Sequence, residues 1–310
     1  MVASTSVWAS VVREIGGDAV RAEAIITDPA IDPHSYESTP RDAAEAGDAD
    51  LVIVNGGGYD EFMEQIVDGR GEGEPAIKAV DVVGARSAPA GETGHQQSGH
   101  VEHGGEPGLQ QPGHAEPVHE PDPGHGQGEH EHDHSINEHV WYDLTATQRM
   151  AGAIADELGR LQPHDAERFH RSAAKFNEQL DRMRARVDRI AGANHGKQVI
   201  VTEPVAHYLI EAARLIDITP QSFVQAVESE NDPPAAAVAE VQTAVDSRRA
   251  SAVIFNPQTE TPMTRQVKTR AERNRTPVVE MRDTLPRGRT YLQWMNDQIT
   301  ALDASLERNR

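Results

Sequence analysis

The sequence predicts an α/β protein of two lobes, each with a parallel sheet and flanking helices, bridged by one long rigid helix. Apolar runs typical of strands alternate with helical segments in both halves of the 310-residue chain. The run Leu51–Val54 is continuously apolar, as in buried parallel strands. About 28 residues from Pro163 have helical spacing and would span about 40 Å. We therefore expect an N-terminal lobe over 1–162, a linking helix over 163–193 and a C-terminal lobe over 194–310.

In the N-terminal half, short strands and helices alternate. The predicted strands lie at Val2–Ser4, Val20–Ile26, Leu51–Val54 and Ala79–Val83. The predicted helices lie at Val7–Ile15, Arg41–Gly47 and Asp60–Val67. Thr39 and Pro40 resemble a helix cap. Gly56, Gly57 and Gly58 fit neither the dinucleotide fingerprint nor a phosphate-binding P-loop, so we interpret them as a tight turn beside a cleft.

Two predicted helices come next, one at Thr145–Leu161 and one from Pro163 to about Ile190. After them, strands and helices alternate again in the C-terminal half. The predicted strands lie at Gln198–Thr202, Ala252–Phe255 and Val278–Met281. The predicted helices lie at Ala206–Leu215, Ala235–Val245, Met263–Arg273 and Tyr291–Glu307. In such folds, ligands bind at the carboxyl ends of parallel strands, in the crevice between halves.

A histidine-rich stretch interrupts the N-terminal half. Between residues 86 and 149 the chain has no lysine or arginine, yet it holds ten of the fifteen histidines. Large apolar side chains are scarce there, so burial cannot offset the entropy of ordering, and we expect a disordered insertion at about 86–135. Imidazole and carboxylate groups suit zinc, nickel or copper. The closely spaced His130, His132 and His134 favour auxiliary metal binding by this segment.

Composition limits the partners. A formal net charge of -21 argues against nucleic acid or an anionic membrane surface and suits a protein that attracts cations. The chain has no cysteine, which excludes disulfides and thiolate metal sites. No apolar run reaches the roughly 18 residues of a membrane helix. The opening MVASTSVWAS lacks the basic start and apolar run of a signal peptide, so we expect it to lie inside or just before the first strand.

Three histidines share a position, in or beside a loop near the carboxyl end of a predicted strand. They are His34 in DPHSYE, His139 in NEHVWYD and His207 in TEPVAHY. Asp283, just beyond the last predicted strand, offers a carboxylate. Three imidazoles and one carboxylate would complete a tetrahedral zinc shell. Such a shell leaves no position for an activated water and favours carriage over hydrolysis.

Six strings carry a family resemblance: DPHSYESTP, ADLVIVNGGGYD, NEHVWYD, VTEPVAHYL, VIFNPQT and TLPRGRTYLQWM, in this order. In them the chain resembles, over nearly its whole length, the zinc-specific solute-binding proteins of bacterial ABC importers (the cluster A-I metal-binding family). The resemblance implies two α/β lobes bridged by a long helix, with the metal between them. It implies His34, His139 and His207 as ligands, and a fourth carboxylate or water ligand, which Asp283 matches.

The resemblance also bears on the choice of metal. Manganese and iron relatives carry Glu where this chain has His207, and a third imidazole favours zinc, although copper or nickel can bind in vitro. Asp283 is shorter than the Glu often found there, and Arg282 beside it could pair with the carboxylate. For Glu138 and Glu203 we favour a different role, either contact with the metal ligands or ordinary surface charge. The alternative fourth ligands are Glu37, Glu138, Glu203 and Asp60.

The sequence therefore predicts a protein that is not an enzyme: it captures Zn2+ as cargo outside the cytoplasm and delivers it to an ABC permease. We expect a monomer in the periplasm or at the outer face of the cytoplasmic membrane, with or without a lipid anchor. One alternative is a zinc-buffering or adhesion protein of the same fold. Another is a metal-dependent hydrolase, which would need an open coordination position and a general base.

Overall fold

The computed structural model describes residues 1–71, 73–84, 137–229 and 231–307. Within them, each half of the chain contributes one four-stranded parallel sheet with flanking helices. The predicted two-lobed α/β class is thereby confirmed. The histidine-rich insertion expected at about 86–135, with the auxiliary ligands His130, His132 and His134, lies outside the described residues.

The N-terminal sheet has the strand order β2-β1-β3-β4. Its strands are β1 (Val2–Thr5), β2 (Glu23–Ile26), β3 (Val52–Val54) and β4 (Ala76–Lys78). Strands β1 and β3 are buried along their whole length, as the continuous apolar runs predict. The surrounding helices are α1 (Ser6–Gly16), α2 (Pro40–Gly47), α3 (Glu61–Asp68) and α4 (Ala79–Gly84). Helix α2 begins with the predicted cap, a reciprocal pair of hydrogen bonds between Thr39 and Asp42.

Two long helices follow in sequence and pack against each other. Helix α5 (Leu144–Leu161) begins at Asp143, whose carboxylate accepts hydrogen bonds from two backbone N–H groups of the first turn. Helix α6 (Ala166–Asn194) has 29 residues and is therefore about 43 Å long. Its apolar face repeats every three or four residues. That face consists of Phe169, Ala173, Phe176, Leu180, Met183, Val187 and Ile190.

The C-terminal sheet repeats the order of the first, as β6-β5-β7-β8. Its strands are β5 (Gln198–Val201), β6 (Ile216–Asp217), β7 (Ala252–Phe255) and β8 (Val278–Glu280). Its helices are α7 (His207–Ala212), α8 (Gln221–Glu228), α9 (Ala235–Asp246), α10 (Pro262–Arg273) and α11 (Tyr291–Glu307). In each sheet the two central strands are the first and third along the chain, so the carboxyl ends of β1, β3, β5 and β7 can all face one cleft.

Three parts of the fold differ from the sequence prediction. The segment Ala79–Val83, predicted as a strand, is helix α4, and the strand β4 lies just before it, in register with β3 through Ile53 and Ile77. The valines that suggested a strand instead pack on the main core, next to α5. Strand β6 and helix α8 are present in the structure but were not predicted from the sequence. The long helix begins after a short 3₁₀ turn at Pro163–Asp165.

One hydrophobic core runs through both lobes. It joins Trp8 of α1 and Trp141, from the N-terminal half, to Val199 of β5 and Trp294 of α11, and the buried face of α6 contributes to the same cluster. Two smaller clusters fill the outer sides of the two sheets. Among the helices of the described residues, none combines the length and the apolar character needed to cross a membrane.

Candidate metal centre

His34 is the second residue of a short 3₁₀ turn, Pro33–Ser35, which Asp32 caps. The Asp32 carboxylate accepts a hydrogen bond from the His34 backbone N–H at 3.0 Å and lies 2.8 Å from the His34 Nδ1 atom. This contact orients the ring and leaves Nε2 as the ligand atom. Burial disfavours the charged imidazole, but hydrogen bonds with Asp32 and Glu138 outweigh it and raise the pKa of His34 to about 11. The side chain is 31% exposed, at the wall of a cleft.

His139 is oriented in the same way by a different neighbour. The Asn137 side-chain oxygen accepts a hydrogen bond from the His139 backbone N–H and lies 3.0 Å from the His139 Nδ1 atom. The Nε2 atom lies 3.1 Å from the Oδ1 atom of Asp283. Burial lowers the pKa of this imidazole, but the carboxylates of Glu138 and Asp283 raise it by more. Like His34, His139 therefore presents Nε2 to a ligand.

Asp283 and Glu203 are buried carboxylates, each two or three residues beyond the end of a C-terminal strand. Asn256, which directly follows β7, donates hydrogen bonds from its single Nδ2 atom to Glu203 Oε2 at 2.8 Å and to Asp283 Oδ2 at 2.7 Å. The Thr259 hydroxyl also donates to Glu203. These bonds hold one oxygen of each carboxylate and leave the other for a ligand. Burial and the nearby Asp283 raise the pKa of Glu203 to about 7.

Glu138 lies between the two imidazoles. Its Oε1 atom is 3.5 Å from His34 Nε2 and 3.6 Å from His139 Nδ1. Burial favours the neutral acid, but His139 and His34 outweigh it and lower the pKa of Glu138 to about 2. The carboxylate is therefore charged at neutral pH.

Two overlapping groups of these residues have the spacing of metal ligands. Within the described residues, His34, Glu138 and His139 form one group, and His139, Glu203 and Asp283 form the other, with the ligand atoms of each group within 4.8 Å of one another. His139 Nε2 and Asp283 Oδ1 are both buried and form an ion pair with each other, with no other hydrogen-bond partner. Nitrogen and oxygen atoms that both bind one zinc ion at about 2.0–2.2 Å lie roughly 3–3.5 Å apart, which fits their 3.1 Å separation.

The structure brings together three of the four predicted ligands and separates the fourth. His207 is the first residue of α7, where its side chain is 53% exposed and faces Glu211 at 3.9 Å. It belongs to neither group of candidate ligands. Glu203 is two residues beyond β5, whereas His207 is six residues beyond it and has already turned into the next helix. Glu203, expected to be a ligand only as an alternative to Asp283, therefore stands beside Asp283 in the same group. That His207 binds metal stays a prediction.

Asp60 and Glu37, two of the alternative fourth ligands, lie outside both groups of candidate ligands. Asp60 is fully buried, and its carboxylate accepts hydrogen bonds from the backbone N–H groups of Asn55 and Gly56, so it stabilises the turn after β3. Glu37 belongs to neither group of ligands. Arg282, which could have paired with Asp283, instead lies 3.4 Å from Glu280.

The glycine triplet forms the tight turn expected from the sequence. Gly56, Gly57 and Gly58 have φ angles of +82°, +72° and +89°, a region that favours glycine. A Cβ atom at Gly56 would lie 2.4 Å from the Lys78 side chain. The turn therefore brings the backbone close to its neighbours at the edge of the cleft.

The cleft itself has a volume of about 1630 Å³ and is lined by residues of both lobes. Its acidic lining residues are Asp32, Glu61, Glu64, Asp81, Glu138, Glu203, Glu228 and Glu260. Lys78 is the single lysine or arginine among the described lining residues, and it pairs with Glu64 at 2.7 Å. The surplus of negative charge attracts cations towards the candidate ligands.

Two similar lobes, with imidazoles from one and carboxylates from the other meeting at an acidic cleft, define the class of a two-lobed metal-binding protein. A sequence model of the ZnuA family, described as the periplasmic component A of the zinc-uptake complex, matches residues 1–305. The chain belongs to the ZnuA family of periplasmic metal-binding proteins of ABC importers.

Solved structures share the fold at low sequence identity. The periplasmic zinc-binding protein TroA from Treponema pallidum is 17% identical, with 98% of each chain covered and a TM-score of 0.69. A manganese-bound S38A mutant of a periplasmic metal-binding protein from Candidatus Liberibacter asiaticus is 17% identical, with 98% of each chain covered and a TM-score of 0.66. A mutant of the laminin-binding adhesin Lmb from Streptococcus agalactiae is 16% identical, with 98% of each chain covered and a TM-score of 0.67.

Proposed function

We propose that this protein captures Zn2+ as cargo outside the cytoplasm and delivers it to an ABC permease. The observation that carries the proposal is the buried pair formed by His139 Nε2 and Asp283 Oδ1, two ligand atoms that face each other at 3.1 Å and have no other hydrogen-bond partner. Burying two charged groups that have only each other as partners costs free energy, and a cation that binds both offsets part of that cost. His34 and Glu203 would complete the binding site.

The nitrogen and oxygen ligands determine which divalent metal ions the site can bind. Two imidazoles and two carboxylates suit several divalent ions, and for a given set of donors Zn2+ binds more tightly than Mn2+. The ZnuA family membership points in the same direction. Mn2+ is the second candidate cargo, because Glu203 provides an oxygen ligand where the sequence resemblance led us to expect the imidazole of His207. The argument for zinc from a third imidazole applies only if His207 also binds the ion.

Capture and release need no covalent chemistry in this proposal. The residues of the centre would bind the ion, hold it away from water and release it at the permease. The working form would be a monomer, in the periplasm or held at the membrane by a lipid anchor. The adhesin among the similar structures favours binding to an extracellular partner as the alternative use of the same fold.

Titration of the metal-free protein tests the binding part of the proposal. We expect one tight site for Zn2+, measured by competition with a chelator of known affinity, and weaker binding of Mn2+ to the same site. His139→Ala and Asp283→Asn should each weaken zinc binding by about 100-fold or more, since both remove a ligand. His164→Ala, at a side chain that is 80% exposed, serves as the matched control and should leave the affinity unchanged. Equal affinity of all four proteins would overturn the proposal.

A growth assay tests delivery. Cells that lack this protein should need added zinc, and the wild-type gene should remove that need, whereas the His139→Ala gene should not. If growth does not depend on zinc but adhesion to an extracellular matrix protein is lost, the alternative use of the fold is the correct one.

A further inference from the structure

Glu138 occupies a position that the proposed function does not explain. Its carboxylate faces the ligand nitrogen of His34 at 3.5 Å, whereas Asp32 already fixes the orientation of that ring through Nδ1 at 2.8 Å. A second carboxylate is therefore not needed to orient His34. A zinc ion about 2.0–2.2 Å from a nitrogen and an oxygen, at a tetrahedral angle, separates them by about 3.4 Å. The observed distance is close to that value.

The two groups of candidate ligands differ in their access to the cleft. The inner carboxylates are buried, with Glu203 4% exposed and Asp283 not exposed. The side chain of Glu138 is 22% exposed and that of His34 is 31% exposed, and both line the cleft. An ion that arrives through the cleft therefore meets Glu138 and His34 before it reaches Asp283.

Hydrogen bonds restrain the backbone at Glu138 and so fix the point from which its side chain reaches the cleft. The Glu138 carbonyl oxygen accepts hydrogen bonds from the Asn55 side chain at 2.8 Å and from the Val140 N–H at 2.7 Å. Gly57, with its φ of +72°, lies against it, and a Cβ atom there would be 3.3 Å from the Glu138 Cβ atom. The turn after β3 thus leaves space for Glu138 at the wall of the cleft.

We propose that Glu138 is a metal ligand of an outer position: His34 and Glu138 receive the ion at the cleft surface, and the ion then exchanges Glu138 for His139, Glu203 and Asp283 while His34 stays bound. The proposal rests on the proposed function, because it assigns an order of contact within the same site. His139 belongs to both groups of ligands, so the ion need not return to bulk water between the two positions. Glu138 would thereby speed both capture and release.

Stopped-flow measurements with Zn2+ and a fluorescent chelator test this order. Glu138→Gln keeps the shape of the side chain and should lower the association rate constant by about tenfold at physiological salt. Asp81→Asn is the matched control: it removes one negative charge from the same cleft, at a residue outside both ligand groups. If the two variants slow association equally, the effect is one of general charge and the proposal is wrong.

A second measurement isolates the outer position. The double variant Glu203→Gln/Asp283→Asn should retain a weaker zinc site, and adding Glu138→Gln should remove that site, whereas adding Asp81→Asn should not. Residual binding that is insensitive to Glu138→Gln would overturn the proposal. Circular dichroism of each variant checks that it is folded. If the wild-type protein itself binds neither Zn2+ nor Mn2+ tightly, the proposed function fails, and this outcome is distinct from a failure of the outer position alone.

Discussion

The Tyr59 hydroxyl donates a hydrogen bond to the backbone carbonyl oxygen of Asp283 at 3.0 Å, although 224 residues separate the two in sequence. The ring of Tyr59 also packs edge-on against His34, with 5.1 Å between centroids, and lies 4.6 Å from Trp141. One buried side chain from the N-terminal half therefore contacts both a candidate imidazole ligand and the loop that carries a candidate carboxylate ligand.

Tyr59→Phe should weaken zinc binding by about tenfold, because a buried carbonyl oxygen that loses its donor costs about 1–3 kcal/mol and the Asp283 loop becomes less restrained. Chelator competition measures the affinity. Tyr36→Phe is the control, since it removes a hydroxyl that bonds to Asp42 at the start of α2. It should leave the affinity unchanged. Equal affinity of the Tyr59 variant and the wild type would show that this hydrogen bond does not support the site.

His207→Ala and Glu203→Gln should have opposite outcomes in zinc titrations. Glu203 is buried beside Asp283, so removing its charge should weaken binding by about 10- to 100-fold or more. His207 is half exposed and outside both ligand groups, so His207→Ala should change the affinity by less than about twofold. The reverse result would support His207 as a ligand and with it the argument for zinc from a third imidazole.

Zinc affinity should fall as the pH decreases. Ligands bind metal in their deprotonated forms, so protons compete with the ion. Because the pKa of Glu203 is raised to about 7 and that of His34 to about 11, both hold a proton below pH 7 in the metal-free protein, and zinc must displace both. Above pH 7 Glu203 is already ionised. The slope of affinity against pH should therefore be steeper below pH 7.

Glu203→Gln is the control for this pH profile. The amide carries no proton that zinc must displace, so the extra steepness below pH 7 should vanish in this variant. Titration calorimetry in buffers of different ionisation enthalpy counts the protons released. An affinity that does not change between pH 5.5 and 8 would contradict the prediction.

Asn55→Ala should lower the free energy of unfolding by about 1–3 kcal/mol. The buried Asn55 side chain accepts a hydrogen bond from the Trp8 indole N–H at 3.1 Å and donates one to the Glu138 carbonyl oxygen at 2.8 Å. Removing the amide leaves the Trp8 indole N–H without this partner, at about 1–3 kcal/mol, whereas the Glu138 carbonyl oxygen keeps the Val140 N–H. Urea denaturation measures the loss. Asn296→Ala, at an exposed position, should cost less than about 0.5 kcal/mol.

Deletion of residues 95–134 should preserve the tight zinc site, because all the candidate ligands of the two groups lie outside that segment. Titration of the shortened protein should show the same affinity for one ion and fewer additional weak sites. Replacing the nine histidines of the segment by serine in the full chain provides the comparison at unchanged length. Loss of tight binding in either protein would mean that the cleft residues do not suffice.

Continuous apolar runs predicted the buried strands, and helical spacing predicted most of the helices. Ala252–Phe255 and Tyr291–Glu307 have the predicted bounds. The failure at Ala79–Val83 is physical: β-branched residues favour strands, but here their packing on the core decides the structure. Strand β6 has only two residues and is exposed, so its pattern is too short to detect.

Part of the geometry of the centre also follows from the sequence. The sequence predicts His34, His139 and Asp283 near strand ends, and all three belong to the two ligand groups. Distance from the strand end is the signal that separates His207 from Glu203. Glu203 and Asn256 lie two residues and one residue beyond their strands, where side chains still face the cleft. The hydrogen bonds that Asn256 makes to two carboxylates depend on neighbouring strands and have no signature along the chain.

The continuous core that joins the two lobes restricts how the cargo can leave. Apolar surface costs about 25 cal/mol per Å² to expose to water. Separating the lobes by enough to uncover about 400 Å² would thus cost about 10 kcal/mol, as much as the entire stability of many proteins. We therefore expect exchange of the ion to proceed by rearrangement of the short loops at the strand ends. A permease would then distinguish loaded from unloaded protein by the conformation of these loops and not by the angle between the lobes.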